Sequence, residues 1–482
     1  MMLLPVIISG GSGERLWPIS RSSFPKPFIT MSDGQNLLQK SFLRACGLNG
    51  VSEILTITNR DYYYKTQIDY NKARQSTITT SFILEPEGRN TAPAIAIAAQ
   101  YAMKIYGDDI TLLVLPADQL IEDNEAFSNA VENAKEIAEE GYLVTLGIPP
   151  SRAETGFGYI EFSEAINALN GTYIVKKFTE KPDIAIAESY LISGSHVWNA
   201  GIFCFKANSF IGELEKYAPE VFAVSMQMAN GWDSTQIAHG LVELDQELFA
   251  KMPNISIDYA VMEKSARVAV CRCDIGWNDV GSWNSISDLL EPDEHGNRLS
   301  GDVYTHESNN CLIQSNKRLV AAVGLQDLVI IDTPDALLVA DIKHAQQVRH
   351  VVNELKVDNH PSAREHTTVF RPWGCYTVLE EGPGFKIKRI EVLPHKSISL
   401  QKHECRSEHW VVVSGTAKVQ NGEDIFELLT SQSAYIKAGN KHRLSNDKNE
   451  LLILIEVQCG HYLGEDDIVR FDSINTMATT PD

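Results

Sequence analysis

Glycines and cations are concentrated in one short stretch near the start of the chain. The stretch reads GGSGERLWP over residues 10–18 and is followed by FPKP over residues 24–27. Glycines let backbone N–H groups approach an anion closely, and a helix that follows adds its positive end. Arg15 offers a forked, permanently charged phosphate ligand, whereas Lys26 offers a mobile point charge. These residue types in this order predict a pocket for a polyphosphate.

The charge of this stretch is opposite to that of the whole chain. Within residues 10–26, three cations (Arg15, Arg21 and Lys26) against one anion (Glu14) leave a net +2. The 482-residue chain has 42 Lys and Arg against 63 Asp and Glu, a formal charge of −21. Such a chain repels nucleic-acid backbones and anionic lipid, so neither is an expected partner. A small anionic substrate is expected only where cations cluster, as they do here.

Other uses of a glycine-rich loop fit the sequence less well. A dinucleotide-binding fingerprint requires the spacing G-x-G-x-x-G, which the glycines at 10, 11 and 13 do not provide, and it leaves both cations unexplained. A P-loop requires Gly-Lys-Ser/Thr, which does not follow. A simple tight turn has no need of two cations.

Two aspartates follow apolar segments farther along the chain. Asp118 comes directly after the predicted strand over residues 111–116, and Asp279 follows the predicted strand over residues 268–273. Ligands of α/β sheets gather at the carboxyl ends of the strands, so we expect both side chains to reach one crevice.

Nitrogen and oxygen donors recur near the C-terminus, in the spacing Q-x-H-x₄-E-x₆-G followed by G-x₂-H-x₃-N. Gln401 and His403 would point the same way from one strand, Glu408 would come from the hairpin partner and His442 from a later strand. Four such donors converging inside a small barrel suit a divalent metal such as zinc. The competing interpretation is that each histidine is an ordinary polar residue of a strand.

The elements that must position these residues divide the chain into parts. Residues 1–290 alternate apolar runs, predicted as strands at 6–9, 54–58, 81–84, 111–116 and 143–146, with helices predicted at 36–45, 92–106 and 126–139. This alternation predicts an α/β domain whose mostly parallel, mixed sheet is covered by helices on both faces. Residues 291–356 are predicted as a β-rich connector with strands at 328–333 and 336–340 that ends in a helix at 342–355.

Residues 357–368 are predicted as a linker, and residues 369–482 as a β-rich barrel or sandwich, because turn signals recur every eight to twelve residues. The sequence contains no apolar run long enough to span a membrane, and its start lacks the features of a signal peptide. The eight cysteines form no disulfide framework, which fits the reduced cytoplasm.

Taken together, the motifs resemble the sugar-nucleotide pyrophosphorylases, and among them the mannose-1-phosphate guanylyltransferases. Besides the glycine-rich loop, the resemblance is carried by EPEGRNTAPA at 85–94, LPAD at 115–118, FTEKP at 178–182, WNAGIF at 198–203 and GWNDVGSW at 276–283. With the C-terminal donors, nearly the whole chain resembles the bifunctional type II mannose-6-phosphate isomerase/guanylyltransferases. The resemblance implies a Rossmann-like nucleotidyltransferase domain, a connector and a C-terminal cupin β-barrel.

The implied reaction is attack of mannose 1-phosphate on the α-phosphorus of GTP, which gives GDP-mannose and pyrophosphate for surface polysaccharide synthesis. The residues that the resemblance assigns to catalysis are Arg15, Lys26, Asp118 and Asp279, of which the two aspartates would hold Mg²⁺. Those assigned to the nucleotide are Gly10, Gly11, Gly13, Glu14, Glu85, Gly88, Arg89 and Asn90. Those assigned to the sugar phosphate are Gly158, Glu180, Lys181 and Asn199.

In the C-terminal part, the resemblance implies a cupin metal site formed by Gln401, His403, Glu408 and His442, with Arg406 as a candidate residue of an isomerase. The chain departs from the family here, because Glu404 and Cys405 stand where relatives carry histidines. At residue 119, relatives often have His where this chain has Gln.

Two alternatives accompany the transferase interpretation. One is a bifunctional enzyme that also interconverts mannose 6-phosphate and fructose 6-phosphate. The other is a nucleotide-sugar sensor without catalysis, which predicts the loss of Lys26, Asp118 or Asp279, although all three are present. Residues 291–355 are a candidate surface for pairing between subunits.

Overall fold

In the computed structural model of the chain, a ten-stranded sheet organises the N-terminal unit, Met1–Ala363. The structure describes residues 2–471 apart from 12, 74–77, 168–170, 234, 236 and 238. Ser12 of the glycine-rich loop and residues 472–482 of the predicted barrel therefore lie outside the described residues.

The strands of the α/β part are, in chain order, β1 (Leu3–Ser9), β2 (Glu53–Asn59), β3 (Thr79–Glu85), β4 (Thr111–Pro116), β5 (Leu120–Ile121), β6 (Leu143–Ile148), β7 (Gly158–Asn167), β8 (Thr172–Glu180), β9 (His196–Lys206), β10 (Leu241–Glu243), β11 (Val268–Arg272) and β12 (Trp277–Asn278). Ten of them form one sheet in the order β10-β3-β2-β1-β4-β9-β6-β11-β8-β7, while β5 and β12 pair with each other. The strands from β10 to β4 are parallel, and β9 runs antiparallel to both neighbours.

Helices cover both faces of this sheet, as the alternating pattern predicts. They are α1 (Leu37–Cys46), α2 (Tyr63–Ala73), α3 (Thr91–Tyr106), α4 (Asn124–Glu139), α5 (Ile184–Ser193), α6 (Ala207–Tyr217), α7 (Pro219–Asn230), α8 (Gln246–Phe249) and α9 (Trp283–Ser287). Apolar residues of α3, α6 and α7 form the core on one face, and those of α1, α2 and α4 form the core on the other. Because both faces are covered, β1 is buried almost throughout and reads as a continuous apolar run.

The connector winds into a small parallel β-helix. Its strands are β13 (Arg298–Ser300), β14 (Val303–His306), β15 (Leu312–Ser315), β16 (Val320–Val323), β17 (Leu328–Asp332) and β18 (Leu337–Asp341). Strands β13, β15 and β17 pair in parallel, as do β14 and β16, so each turn of chain stacks on the previous one. The unit ends with a 3₁₀ segment (Ile342–Gln347) and the helices α10 (Val348–Val357) and α11 (Pro361–Arg364).

The end of this unit packs against the glycine-rich loop. Leu16 and Trp17 share a core with Val348 and Val352 of α10. The indole N–H of Trp17 donates to the carbonyl of Ser362 at 3.0 Å. The loop is thereby fixed by residues more than 300 positions later in the chain.

The C-terminal unit, from Arg364, consists of two antiparallel sheets. Its strands are β19 (Thr368–Arg371), β20 (Gly374–Gly382), β21 (Phe385–Val392), β22 (Lys396–Ser397), β23 (Gln401–His403), β24 (Arg406–Ser414), β25 (Ala417–Asn421), β26 (Asp424–Leu428), β27 (Ser433–Ile436), β28 (His442–Asn446), β29 (Leu452–Gly460) and β30 (Ile468–Arg470). The orders are β19-β20-β21-β29-β24-β27 and β26-β25-β28-β23-β30, with β22 beside β28. Their inward residues enclose a separate core, so the predicted β-barrel of cupin type is confirmed.

No helix among the described residues is both long enough and apolar enough to cross a membrane.

A buried ion pair joins the glycine-rich segment to the β-helix. The guanidinium of Arg21 is fully buried and contacts both carboxylate oxygens of Asp335 at 3.0 Å. We expect Asp335→Ala to lower the free energy of unfolding by about 3–5 kcal/mol, because it leaves the Arg21 charge buried without a partner. Urea unfolding measures this. Asp302→Ala, at an exposed position of the same β-helix, is the control and should change it by less than about 0.5 kcal/mol; equal effects of the two substitutions would contradict the role of the ion pair.

Candidate functional site

The glycine-rich loop leaves open space on one side and packs closely on the other. A Cβ atom added to Gly10 or Gly11 would meet nothing within 4 Å. A Cβ atom on Gly13, whose φ is +63°, would lie 2.5 Å from the Cβ of Lys26. Glycine at residue 13 therefore allows the segment that carries Lys26 to pack directly against the loop.

Lys26 connects the loop to both predicted metal ligands. Its side chain is buried, and its Nζ atom lies 3.0 Å from Oδ2 of Asp118. The same Nζ atom donates a hydrogen bond to the backbone carbonyl of Asp279. One ammonium group thus holds together two segments that are distant in sequence.

Asp279 reaches this site by a route that differs from the expected one. We expected the carboxyl ends of β4 and β11 to bring the aspartates together, but β9 and β6 separate these strands in the sheet. Instead β12 pairs with β5, which starts two residues after Asp118, so that Trp277 lies opposite Ile121. The segments of the two aspartates meet at this edge of the sheet as expected, and the pairing of β5 with β12, which was not expected, brings Asp279 there.

Arg15 completes the group around Asp279. A Cβ atom on Gly281 would lie 2.1 Å from Oδ2 of Asp279 and 3.3 Å from Nη2 of Arg15, so glycine leaves room for both side chains. Burial raises the pKa of Asp279 above its ordinary value, while the charges of Lys26 and Arg15 act in the opposite direction. The two carboxylates are oxygen ligands that suit Mg²⁺, and the two cations beside them suit phosphate oxygens.

The segment that follows the β-helix, residues 342–364, contacts this loop through side chains that the sequence analysis did not predict. Arg15 donates a hydrogen bond to Oε1 of Gln346 at 3.2 Å, and Glu14 forms an ion pair with Lys356 of α10. The carboxylate of Glu14, predicted to bind the nucleotide, is therefore engaged by the protein itself. Lys356 carries no local signal of this role, because it is one of several polar residues on an amphipathic helix.

A second group of predicted residues follows β3. Glu85 is buried at the end of the strand, and its Oε1 atom has no hydrogen-bond partner among the described residues. Burial raises the pKa of this carboxyl to about 8. Gly88 has open space around it, and Asn90, with φ of +68°, caps α3 by accepting from the N–H of Thr91.

Arg89, next to this cap, donates to the carbonyl of Met252 at 3.3 Å and pairs with Glu87. Its guanidinium is therefore held by the protein, as is the side chain of Asn90. Of the polar side chains predicted to contact the base, Glu85 is the one with a buried acceptor that lacks a donor.

A third group gathers where β7, β8 and β9 meet. Gly158 pairs with Glu180, and a Cβ atom at Gly158 would lie 2.6 Å from Oε2 of Glu180 and 3.6 Å from the Cβ of Asn199. Glycine at residue 158 therefore keeps the space beside the Glu180 carboxylate clear. Lys181 forms an exposed ion pair with Glu180 at 2.7 Å.

The amide of Asn199 is held in one orientation. Its Oδ1 atom accepts from the hydroxyl of Thr145 and the N–H of Gly201, both at 3.1 Å. Its Nδ2 atom donates to Asp258 at 2.8 Å. Because both acceptor positions are used, Asn199 is left as a hydrogen-bond donor toward any further partner.

Asp258 is a residue that sequence reasoning missed. It is partly buried, and this burial raises the pKa of its carboxyl, with the charge of Glu180 adding to the effect. The available signal was an acidic residue inside the otherwise apolar run I-D-Y-A-V-M over residues 257–262, where an unpaired charge would be costly.

Gln119 links the sugar-side group to the aspartates. Its amide nitrogen donates to the carbonyl of Ala200 at 2.7 Å, and its Oε1 atom accepts from the indole of Trp277 at 2.9 Å. The residue that departs from relatives therefore ties the loop after Asp118 to strands β9 and β12.

The C-terminal unit brings three of its four predicted metal ligands together. Donor atoms of His403, Glu408 and His442 all lie within 4.8 Å of one another and are buried. Nε2 of His403 is 3.1 Å from Oε1 of Glu408, and Nε2 of His442 is 3.6 Å from its Oε2. The fourth, Gln401, lies opposite His442 in the pairing of β23 with β28.

Two nitrogen atoms of the histidines in this cluster have no hydrogen-bond partner in the described part of the chain. They are Nδ1 of His403 and Nε2 of His442. Orphaned, buried imidazole nitrogens next to a carboxylate fit a divalent metal, because a metal ion would supply the missing contact. Arg406 lies against the same group, with Nη2 3.5 Å from Nε2 of His403 and Nε 3.6 Å from Glu408.

The charge of Glu408 is set by its surroundings. Burial alone would raise its pKa, but the hydrogen bond with His403 and the charges of both histidines lower it to about 2. Burial and the charge of the neighbouring Glu408 raise the pKa of the Glu456 carboxyl to about 8. Gln458 donates to both carboxylates, at 3.1 and 2.9 Å.

Glu456 and Gln458 were not predicted as part of this cluster. They continue the inward positions of β29 after Leu452 and Leu454, and all four side chains are buried. Polar residues at the buried positions of an alternating strand were the signal that could have identified them.

Comparison with known families divides the chain into three matched segments. The family described as nucleotidyl transferase matches residues 4–295, the MannoseP isomerase/GMP-like beta-helix domain matches residues 301–355, and the mannose-6-phosphate isomerase C-terminal family matches residues 358–473.

Similar proteins extend over nearly the full length. Xanthan biosynthesis protein XanB of Xanthomonas campestris is 44% identical over 472 residues, which cover 98% of each chain. A putative mannose-1-phosphate guanylyltransferase of Vibrio cholerae is 43% identical over 98% of this chain and 100% of its own. A crystal structure from Thermus thermophilus, described as a mannose-1-phosphate geranyltransferase, has a TM-score of 0.65 and 32% identity, and covers 74% of this chain and 100% of its own.

The raised pKa of Glu85 predicts a specific dependence of stability on pH. The unfolded carboxyl loses its proton near its ordinary pKa of 4.5, whereas the folded one keeps it until about pH 8. Stability is therefore lost as pH rises between these values, and Glu85→Gln should remove this loss. Between pH 6 and pH 8, we expect the free energy of unfolding of the variant to rise by about 1–3 kcal/mol relative to that of the wild type. Urea unfolding at both pH values measures it, and parallel pH dependences of the two proteins would contradict it.

Proposed function

Since the chain belongs to the family of the mannose-1-phosphate guanylyltransferases that carry a mannose-6-phosphate isomerase C-terminal domain, we propose that it joins GTP and mannose 1-phosphate into GDP-mannose and pyrophosphate. The observation that carries the proposal is the contact of Lys26 with both Asp118 and the backbone of Asp279. In an acidic chain, this is a site where cations, open glycine backbone and carboxylates meet. The relatives named for xanthan and alginate biosynthesis favour a cytoplasmic enzyme whose GDP-mannose supplies the synthesis of surface polysaccharide.

In this proposal the glycine-rich loop binds the triphosphate. Gly10 and Gly11 are exposed, with open space where a side chain would stand, and are proposed to offer their backbone N–H groups to the phosphates. Arg15 and Lys26 offset the negative charge that moves onto the leaving pyrophosphate. Asp118 and Asp279 would hold Mg²⁺, which supplies further charge neutralisation at the phosphate oxygens when bound. The protein's own contribution is to position the two phosphates for in-line attack.

The other two groups bind the ends of the substrates. Glu85, with its unpaired buried oxygen, is proposed to face the donor edge of guanine, and Gly88 to leave room for the ring. Glu180 is proposed to accept hydrogen bonds from mannose hydroxyls in the space that Gly158 keeps clear, and Asn199 to donate one. Lys181 is proposed to attract the sugar phosphate.

We propose as a second activity that the C-terminal unit interconverts mannose 6-phosphate and fructose 6-phosphate. The orphaned nitrogens of His403 and His442 beside Glu408 favour a divalent metal such as Zn²⁺ there, with Gln401 as a further ligand. Arg406 in contact with this group is the candidate to bind or polarise the sugar phosphate. For the two activities together, we propose that residues 1–290 form the transferase domain, 291–356 the connector, 357–368 the linker and 369–482 the isomerase domain.

A sensor without catalysis is disfavoured. Such a protein has no need to keep Lys26, Asp118 and Asp279, and still less to hold them in mutual contact at the cost of burying charge.

Removing the central cation tests the transferase. Lys26→Ala should lower kcat for GDP-mannose formation at least about 100-fold, because it removes a charge that acts on the transition state and the link between the two aspartate segments. Asp279→Asn should have an effect of similar size. Coupled detection of pyrophosphate measures both, with circular dichroism to show that the fold survives. Kinetics within a few-fold of the wild type in both variants would reject the proposed roles.

Separating the two activities tests the assignment of the C-terminal unit. His403→Ala should leave GDP-mannose formation within about twofold, since its cluster lies in the other compact unit, and should abolish fructose 6-phosphate isomerisation with added divalent metal. His409 is exposed, and its ring packs against Tyr435. His409→Ala is therefore the matched control and should retain both activities. Loss of transfer in His403→Ala would reject the independence of the two units, and the lack of isomerisation in the wild type would reject the second activity alone.

A further inference from the structure

A cavity of about 290 Å³ opens between α1 and the start of α4, apart from the residues assigned above to transfer or isomerisation. Two cations of α1, Lys40 and Arg44, line it together with Gln35, Ile121, Asn124 and Ser128. Its lining in the described part of the chain includes no carboxylate, although the whole chain carries a formal charge of −21. The size is that of the smaller ligand pockets in proteins.

Arg44 is the unusual residue in this cavity. It is 7% exposed, and its Nε atom is buried without a hydrogen-bond partner among the described residues. Burial lowers the pKa of its guanidinium to about 10, and no charged neighbour among the described residues counteracts this effect. Its one ring contact is with Phe127, whose centroid lies 5.6 Å from Cζ. A buried charge in this state is costly unless an anion shares the site.

The other walls of the cavity also favour an anion. Asn124 and Ser128 belong to the first turns of α4, a 16-residue helix whose amino-terminal end carries partial positive charge. Asp123, which caps this end by accepting from the N–H of Ala126, and Glu125 in the first turn offset part of this positive charge. Lys40 is paired with Asp33, so its charge is largely offset, whereas that of Arg44 is not.

We propose that this cavity binds a small phosphate-bearing molecule, whose phosphate pairs with the guanidinium of Arg44 at the amino-terminal end of α4. Two sources share this chemistry, inorganic phosphate and a sugar monophosphate. A planar guanidinium whose Nε–H has no hydrogen-bond partner among the described residues is well matched to phosphate oxygens. A dianion at this place would also give the buried Nε–H of Arg44 an acceptor.

Isothermal titration with inorganic phosphate and, separately, with mannose 6-phosphate tests the proposal. Arg44→Met keeps an apolar stem against Phe127 but removes the charge, and it should weaken the Arg44-dependent binding event at least tenfold. Arg44→Lys should restore part of it. Tighter Arg44-dependent binding of mannose 6-phosphate would identify a sugar phosphate as the ligand of this cavity, and equal Arg44-dependent binding of both probes would identify phosphate itself. Binding of both probes by Arg44→Met as in the wild type would overturn the proposal.

A second variant protects the test against a folding defect. Ser128→Glu leaves Arg44 and Phe127 in place but adds a carboxylate at the cavity wall, which should compete with the phosphate and weaken its binding by a similar factor. Because Arg44 and Ser128 lie outside the transfer site, both variants should form GDP-mannose at rates close to the wild type, and this activity serves as the check on folding. Unchanged phosphate affinity in a Ser128→Glu protein that is active would contradict the proposed site.

Discussion

The arrangement of the predicted transfer site depends on one ammonium group. Lys26 forms an ion pair with Asp118 and donates to the carbonyl of Asp279, so a single side chain unites the glycine-rich loop, the end of β4 and the segment after β12. Two carboxylates and two cations meet at this place, and their formal charges balance. A bound triphosphate would give the two cations a partner of their own, which would explain why an acidic protein keeps them here.

The glycine-rich segment also contacts the β-helix and the two helices that follow it. Arg21 pairs with Asp335, Trp17 donates to Ser362, and Glu14 pairs with Lys356. These contacts give the connector a physical purpose beyond spacing, since they fix the backbone from which Arg15 and Lys26 project. Preorganisation of this kind lets cations act on a transition state without first being ordered.

Much of the α/β unit could be predicted because its signals are local. Apolar runs and helical periodicity gave the strands and helices of the sheet, and motif order gave the residues that gather around Lys26. The route that brings Asp279 to Asp118 could not be predicted, because it depends on the pairing of the two short strands β5 and β12 rather than on neighbouring strands of the main sheet. Lys356 was missed for the same reason: its partner is 342 residues away, and nothing in its own segment indicates it.

A crystal structure of the chain with GTP and Mg²⁺ is the most direct test of the transfer site. We expect the triphosphate to lie on the backbone of Gly10 and Gly11, within ion-pair distance of Arg15 and Lys26. We expect Asp118 and Asp279 to contact the Mg²⁺ ion near the α-phosphate. A nucleotide bound elsewhere, or aspartates turned away from its phosphates, would contradict the central claim that this charge cluster is the transfer site.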